Sequence, residues 1–147
     1  MEQDYSKYSN EMLEKMWKTP YDLDENFFFV LGEFGNRKHP KTKQYCLEVL
    51  NNYSKDEYFL SSALDTLYSY DEDSAITYAK EHYKEFHIHS LGSLVSLLWV
   101  DSEVYKKNPK KELLVKLVKN HLLTLSSEQI SEIKKDYDKF MKAYKNI

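Results

Sequence analysis

Residues Asp56 to Tyr83 carry two apolar stripes joined by the acidic turn Asp71-Glu72-Asp73. Phe59, Leu60, Ala63, Leu64 and Leu67 make the first stripe, and Ala75, Ile76, Ala79 and Tyr83 the second. Both follow the i, i+3, i+4, i+7 spacing that gathers apolar side chains on one face of a helix. A pair of helices with one apolar stripe each cannot close a core alone, so this stretch demands similar neighbours on both sides. With three glycines and three prolines in 147 residues, the chain has few residues suited to the tight turns of a sandwich or barrel. An all-α fold in a single domain, residues 1–147, is the expectation.

The flanking segments supply those neighbours. Tyr5 to Trp17 reads as a first helix, stopped by Thr19-Pro20 because the residue before proline is pushed out of helical geometry. A second helix should start near Asp24, bury Phe27, Val30, Leu31 and Phe34, and end at Gly35-Asn36. Pro40 restarts a third, through Tyr45, Cys46, Val49, Leu50 and Tyr53. After the central pair, Phe86-His87-Ile88-His89 leads into a sixth helix with Leu91, Leu94, Val95, Leu98 and Trp99. The linker Lys106-Lys107-Asn108-Pro109 precedes a seventh with Leu113, Leu114, Leu117, Val118, His121 and Leu122. The last starts at Ser126 or Ser127, where Ser126-x-x-Gln129 fits a capping box, and buries Ile130, Ile133, Tyr137, Phe140, Met141 and Tyr144.

These stripes repeat. Phe27, Phe59 and Leu91 are spaced by 32 residues, as are Leu31, Ala63 and Val95 on the same helical face. Asp24-Glu25 and Asp56-Glu57 repeat the spacing at the helix starts, and Cys46 and Ala79 stand 33 apart in the second helices. Two helices per unit of this length predict an α-solenoid-like stack of antiparallel helix pairs, HEAT-like, with about eight helices. An irregular helical bundle is the alternative, since helices of similar length produce such spacings by coincidence.

Charge is unevenly spread. Residues 1–105 hold 10 Lys/Arg against 19 Asp/Glu, a balance of −9, and residues 106–147 hold 11 lysines against 5 acids, a balance of +6. The larger part repels nucleic acid and attracts a basic partner. The lysines Lys106, Lys107, Lys110, Lys111, Lys116 and Lys119 alternate with core leucines and read as a solvated helix face rather than a phosphate-binding patch. No apolar run reaches the ~18 residues of a membrane span. The acidic start Met1-Glu2-Gln3-Asp4 lacks the apolar segment of a signal peptide, so a soluble, cytoplasmic protein is expected.

Chemistry has few candidates. Glu81-His82-x-x-Glu85-x-His87-x-His89 is the one cluster resembling metal ligands, but it lacks the His-Glu-x-x-His spacing, and its histidines suit a helix end near the negative pole. The lone Cys46 sits among apolar residues and reads as a buried thiol. No phosphate-cradling glycine loop occurs. No cofactor, no metal and no enzymatic activity are implied.

The acidic positions are more informative. In stacked pairs, the start of each first helix lies beside the end of each second helix. Asp24, Glu25, Asp56, Glu57, Glu81 and Glu85 should then share one edge, while Asp71, Glu72 and Asp73 lie on the opposite edge beside the turn Arg37-Lys38. Helix capping and solubility explain part of this pattern. Thirteen tyrosines, Tyr58 among them, supply rings that combine apolar area with a hydrogen-bonding tip.

With its helical repeats from Asp24-Glu25 to Tyr83, its acidic faces and its Tyr/Lys/Asn-rich composition, the chain resembles the small α-helical immunity proteins of bacterial toxin systems, including contact-dependent growth inhibition. The resemblance implies a non-catalytic cytoplasmic protein that binds and neutralises a cognate toxin domain, often a nuclease. Partner contact would involve Asp24, Glu25, Asp56, Glu57, Tyr58, Glu81 and Glu85, with Asp71, Glu72 and Asp73 as the second choice. The +6 tail departs from the uniformly acidic pattern of nuclease inhibitors. A helical-repeat adaptor or regulatory protein-binding module is the alternative reading.

Overall fold

The helix Glu57–Tyr70 begins where Asp56, in extended conformation, accepts hydrogen bonds from the backbone N–H groups of Tyr58 and Phe59 at 3.0 and 3.1 Å. That cap satisfies two donors that no helical carbonyl can reach. In the computed structural model, which describes residues 4–17, 25–52, 56–104 and 108–147, this helix is the fourth of nine α-helices. Among the described residues they are α1 (Asn10–Trp17), α2 (Glu25–Asn36), α3 (Thr42–Asn52), α4 (Glu57–Tyr70), α5 (Glu72–His82), α6 (Ile88–Val100), α7 (Pro109–Leu122), α8 (Ser127–Glu132) and α9 (Lys134–Ala143). Short 3-10 turns occupy Tyr5–Lys7, Tyr83–Glu85 and Asp101–Val104, and no strand occurs among the described residues.

The chain is all-helical, as its stripes predict. Helix α4 packs against α2, α3, α5 and α6, and Phe59, Leu60, Ala63, Leu64 and Leu67 are all buried. The 32-residue register holds for Leu31, Ala63 and Val95, each buried on the α2, α4 and α6 faces that meet in the core. The C-terminal part departs from a simple two-helix alternation. Helix α7 packs on α5, but α6 is covered mainly by α9, with Phe140 fully buried and the Tyr144 hydroxyl donating to the Leu98 carbonyl.

Several boundaries differ from expectation, each for a local reason. The first helix begins at Asn10, because Asp4 caps a separate 3-10 turn over Tyr5–Lys7 and Tyr8 leaves it extended. Only Asp71 separates α4 from α5, while Glu72 and Asp73 belong to the first turn of α5. Pro40 precedes α3 rather than opening it, within a turn that holds Lys38 at φ 53° and in which the Thr42 hydroxyl donates to the Phe34 and His39 carbonyls. The expected single last helix breaks at Ile133, whose φ of −121° and ψ of 23° leave helical geometry. The capping box at Ser126 and Gln129 forms as read from the sequence. Asp24, Tyr53, Lys106, Lys107 and the Thr19-Pro20 stop lie outside the described residues, as do the side chains of Glu25 and Phe27.

Two glycines act through their missing side chain. Gly35 does not end α2 but sits inside it, where a Cβ would stand 2.9 Å from Thr66 Cγ2 of α4. A Cβ on Gly92 of α6 would come 2.7 Å from Ile133 Cγ2, so the α8–α9 junction seats directly on the α6 backbone. Gly32 has open space where its Cβ would be.

Two predictions follow from this packing. Leu64 is completely buried, so Leu64→Ala should cost about 2–5 kcal/mol in denaturant unfolding, and a surface-like loss would reject its place in the core. Gly32→Ala should stabilise by about 0.5–1 kcal/mol through helix propensity. Gly92→Ala should destabilise by about 1–3 kcal/mol because the β-branched Ile133 cannot move aside freely. Equal shifts in unfolding midpoint for the two alanines would contradict the close α6–Ile133 approach.

Candidate partner-binding face

The face of α4 opposite its buried stripe carries Tyr58, Ser61, Ser62 and Asp65, again at i, i+3, i+4 and i+7. Helix α6 carries His89, Gly92, Ser93 and Ser96 at the same spacing. These two stripes line a groove of about 570 Å³. Its far wall is Glu132, Ile133 and Asp136 from the α8–α9 junction, and Phe28 of α2 stands at one end. The groove exists because the residues after Tyr58 on α4 and after His89 on α6 carry small side chains. The Ser93 hydroxyl reaches Ser61 Oγ at 3.0 Å, so α4 and α6 touch through two serines and leave space above them.

Three carboxylates enter this groove. Asp136 accepts the indole N–H of Trp99 at 2.9 Å, and Glu132 lies 3.7 Å from His89. Asp65 makes no hydrogen bond or ion pair among the described residues. Its surroundings remove part of its water, and this desolvation pushes its carboxyl above the usual aspartate value. Lys139 lies beyond the wall, its ammonium 4.4 Å from the centre of the Trp99 ring.

Aromatic rings border the same face. Tyr58 is 70% exposed and meets Phe28 edge-on at 4.5 Å, while Phe28 stacks on Phe59 at 4.8 Å. Phe29, 56% exposed, stacks on Tyr5 at 5.5 Å. A second hollow of about 450 Å³, lined by Asp4, Phe29, Gly32, Glu33 and Asn36 among others, shares Phe28 with the groove. Helices α2, α4 and α6 thus present one continuous face of exposed aromatic rings, small polar groups and carboxylates.

The acidic edge expected from the sequence is partly assembled. Asp56 caps α4, and Glu57 forms an ion pair with His87, the residue before α6. Glu85 lies 3.5 Å from His82 at the end of α5, and both line a cleft of about 430 Å³ with Leu60, Tyr78, Phe86 and His87. Leu60 of α4 and the end of α5 therefore meet at this cleft. His87 and His89 stack at 5.7 Å and join the cleft to the groove. Glu81 lines a neighbouring hollow between α3 and α5, with Leu47 and Asp73, that shares Asn51, Tyr78 and His82 with this cleft.

The opposite edge needs correction. Asp71, Glu72 and Asp73 do not lie beside Arg37, which instead binds Glu33 at 2.8 Å and the carbonyls of Tyr5 and Ser6. Asp71 caps α5 through Ser74 and lies 3.3 Å from Lys43, Glu72 lies 3.6 Å from Lys111, and Asp73 lies 3.8 Å from Lys110. The basic third of the chain thus lends two lysines to the acidic start of α5. Lys111 is 2% exposed, a burial the reading of a solvated lysine face did not anticipate. Its ammonium lies 2.6 Å from Asp101, which also accepts the Tyr68 hydroxyl at 2.8 Å. Burial works to raise the Asp101 carboxyl, but the hydrogen bonds from Lys111 and Tyr68, with the Lys111 charge, hold it below the usual value.

A carboxyl whose folded pKa is depressed stabilises the fold above its unfolded pKa of about 4, and this contribution is lost as pH falls through the folded value. Lys111→Met should therefore lower stability at pH 7 by about 2 kcal/mol, less than for a fully buried pair because Asp101 keeps contact with water. It should also flatten the loss of stability between neutral and acid pH in urea unfolding. An unchanged pH dependence would show that Asp101 gains nothing from Lys111.

The residues weighed for catalysis are placed differently from a reactive site. Cys46 is fully buried, and desolvation pushes its thiol up to about 12, leaving no appreciable thiolate at neutral pH. His82 lies in the last turn of α5, as expected, but His87 occupies the N-cap position of α6 without a capping hydrogen bond and His89 lies in its first turn, at a positive helix end rather than a negative one. Among the described residues, no three His, Cys, Asp or Glu side chains are grouped to hold a metal ion, and no helix is long and apolar enough to cross a membrane. No family model, curated protein or solved structure matches the chain.

Asp65, Glu132 and Asp136 were not among the expected contact residues, although Tyr58 was. The signal for Asp65 was present in the sequence as second, polar stripes at 58/61/62/65 and 89/92/93/96. Ser61 and Ser93 even keep the 32-residue register. The contribution of Glu132 and Asp136 carried no such signal, since it depends on where α8 and α9 dock.

Proposed function

We propose that this chain is a non-catalytic immunity protein that binds and neutralises a cognate, basic bacterial toxin domain, a nuclease being the fitting class. The observation that carries this reading is the continuous acidic and aromatic face over α2, α4 and α6. Exposed Phe29 and Tyr58 are anchors of the kind that supply short-range binding energy. The carboxylates Asp65, Glu132 and Asp136 give the face the sign needed to attract a basic domain. Asp56, Glu57 and Glu85 extend the same acidic field around the start of α4. Glu81, Asp24 and Glu25 are the outlying members of the proposed contact set, and Asp71, Glu72 and Asp73 its second choice. The toxin domain is the only partner the reading requires, with no cofactor and the cytoplasm as its place of action.

The packing of α2, α4 and α6 on one another, in register every 32 residues, supports a HEAT-like stack as the scaffold. The same repeated face favours a helical adaptor as the second reading, because stacked first helices offer an extended docking surface to many kinds of protein.

The test is growth of cells expressing the toxin domain encoded beside this gene, with and without the chain. Protection and a stable complex are expected. Tyr58→Ala together with Asp65→Arg should weaken the complex about 10–100-fold, with the charge change slowing association most at low salt. Failure to protect would reject the immunity reading, and a captured partner without toxicity would favour the adaptor. Protection that survives the groove variants but is lost with Asp56→Lys and Glu57→Lys would move the contact to the edge.

A further inference from the structure

The groove contains one carboxylate with work left to do. Asp136 is engaged by Trp99 and Glu132 faces His89, but Asp65 is unpaired among the described residues. Its neighbours on α4 and α6 are hydroxyl groups, those of Ser61, Ser62 and Ser96, which can accept hydrogen bonds. Nearly two helical turns, about 10 Å, towards the α4 start, the rings of Tyr58 and Phe28 stand edge to face at the groove end. A groove with a free carboxylate, hydroxyl acceptors and an aromatic end matches one side chain better than any other.

Resting on the protein-binding reading above, we propose that the groove between α4 and α6 receives an arginine side chain of the basic partner, paired through its guanidinium with Asp65 and packed against Tyr58 and Phe28. The planar guanidinium presents five N–H donors in a fork, so it can bind a carboxylate through two of them and give the rest to serine hydroxyls. The aliphatic stem of the arginine can lie along the groove against the Tyr58 and Phe28 rings while the charged head reaches Asp65. A lysine ammonium, a compact and strongly hydrated charge, gains less from a flat and partly apolar site. Asp65 is exposed, yet its surroundings desolvate it enough to lift its carboxyl, and an arriving guanidinium would stabilise its charged form.

The experiment titrates isotope-labelled full-length protein with the peptide acetyl-Gly-Arg-Gly-Arg-Gly-amide, followed by amide chemical shifts. The lysine and citrulline versions of the peptide are titrated in parallel. Shifts should centre on Ser61, Ser62, Asp65, Ser93 and Ser96, strongest for arginine, weaker for lysine and absent for uncharged citrulline. Asp65→Asn, an isosteric change at a solvent-reached position, should keep the native spectrum and weaken the arginine peptide about tenfold or more. Glu11→Gln, an exposed position of α1 outside the groove, should leave affinity within about twofold. Equal binding of lysine and arginine peptides, shifts spread over the whole acidic surface, or an unaffected Asp65→Asn variant would each overturn the proposal. Toxin protection that depends on this face while the peptides ignore the groove would overturn this inference alone. Peptide recognition by a chain that protects against no toxin would overturn the functional reading alone.

Discussion

Everything in this molecule leans on α4. Its Leu60, Ala63, Leu64 and Leu67 are buried at no more than 1% exposure, and four other α-helices pack on it. A side chain such as Leu64, closed off from solvent on every side, contributes on the order of 1.5–3 kcal/mol by leaving water. That gain is available only if α2, α3, α5 and α6 all arrive, which couples the early part of the chain into one cooperative unit. The same helix turns its other stripe, from Tyr58 to Asp65, to the groove. Core and candidate contact surface therefore share one rigid element, and the position of Asp65 is set by the burial of Leu64 beside it in sequence.

Close approach is managed by small residues at chosen points. Gly35 lets α2 lie against Thr66 of α4, and Gly92 lets Ile133 sit on α6. The serines then keep the space above α4 and α6 open. A leucine at Ser61 or Ser96 would be as compatible with a helix as the serine is, but its extra bulk would occupy the groove. Helix α6 is otherwise strongly apolar, with Leu91, Leu94, Val95 and Leu98 buried, so its polar stripe stands out as serving something besides the core.

The charge asymmetry between the two parts of the chain is resolved in part inside the molecule. Lys110 and Lys111 lie against Asp73 and Glu72, and Lys119 donates to the Tyr144 and Ile147 carbonyls at the C-terminal end. Part of the basic third is thus used in holding α7 to α5 and in closing the end after α9. In the groove, Asp136 is engaged by Trp99 and Glu132 faces His89, whereas Asp65 makes no hydrogen bond or ion pair among the described residues. That difference between satisfied and unsatisfied acids separates structural charge from charge available for recognition, and it is the physical basis for favouring the groove over the Asp71-Glu72-Asp73 edge.

The sequence by itself determined most of the helices and much of their buried faces, although Leu113, read into the α7 stripe, is exposed and the last helix breaks at Ile133. Spacing alone placed Leu31, Ala63 and Val95 inward, and cap chemistry alone located the starts at Asp56 and Ser126, because both depend on residues within one or two turns of each other. Only the tertiary structure decided which helix covers which. That α9 rather than α7 lies mainly on α6, that Lys111 is buried against Asp101, and that Glu132 and Asp136 complete the groove all depend on docking between segments far apart in the chain. Such contacts leave no periodic trace. A lysine that will be buried and a lysine that will be solvated look the same in sequence, since the difference lies in whether a carboxylate from another helix arrives to meet it.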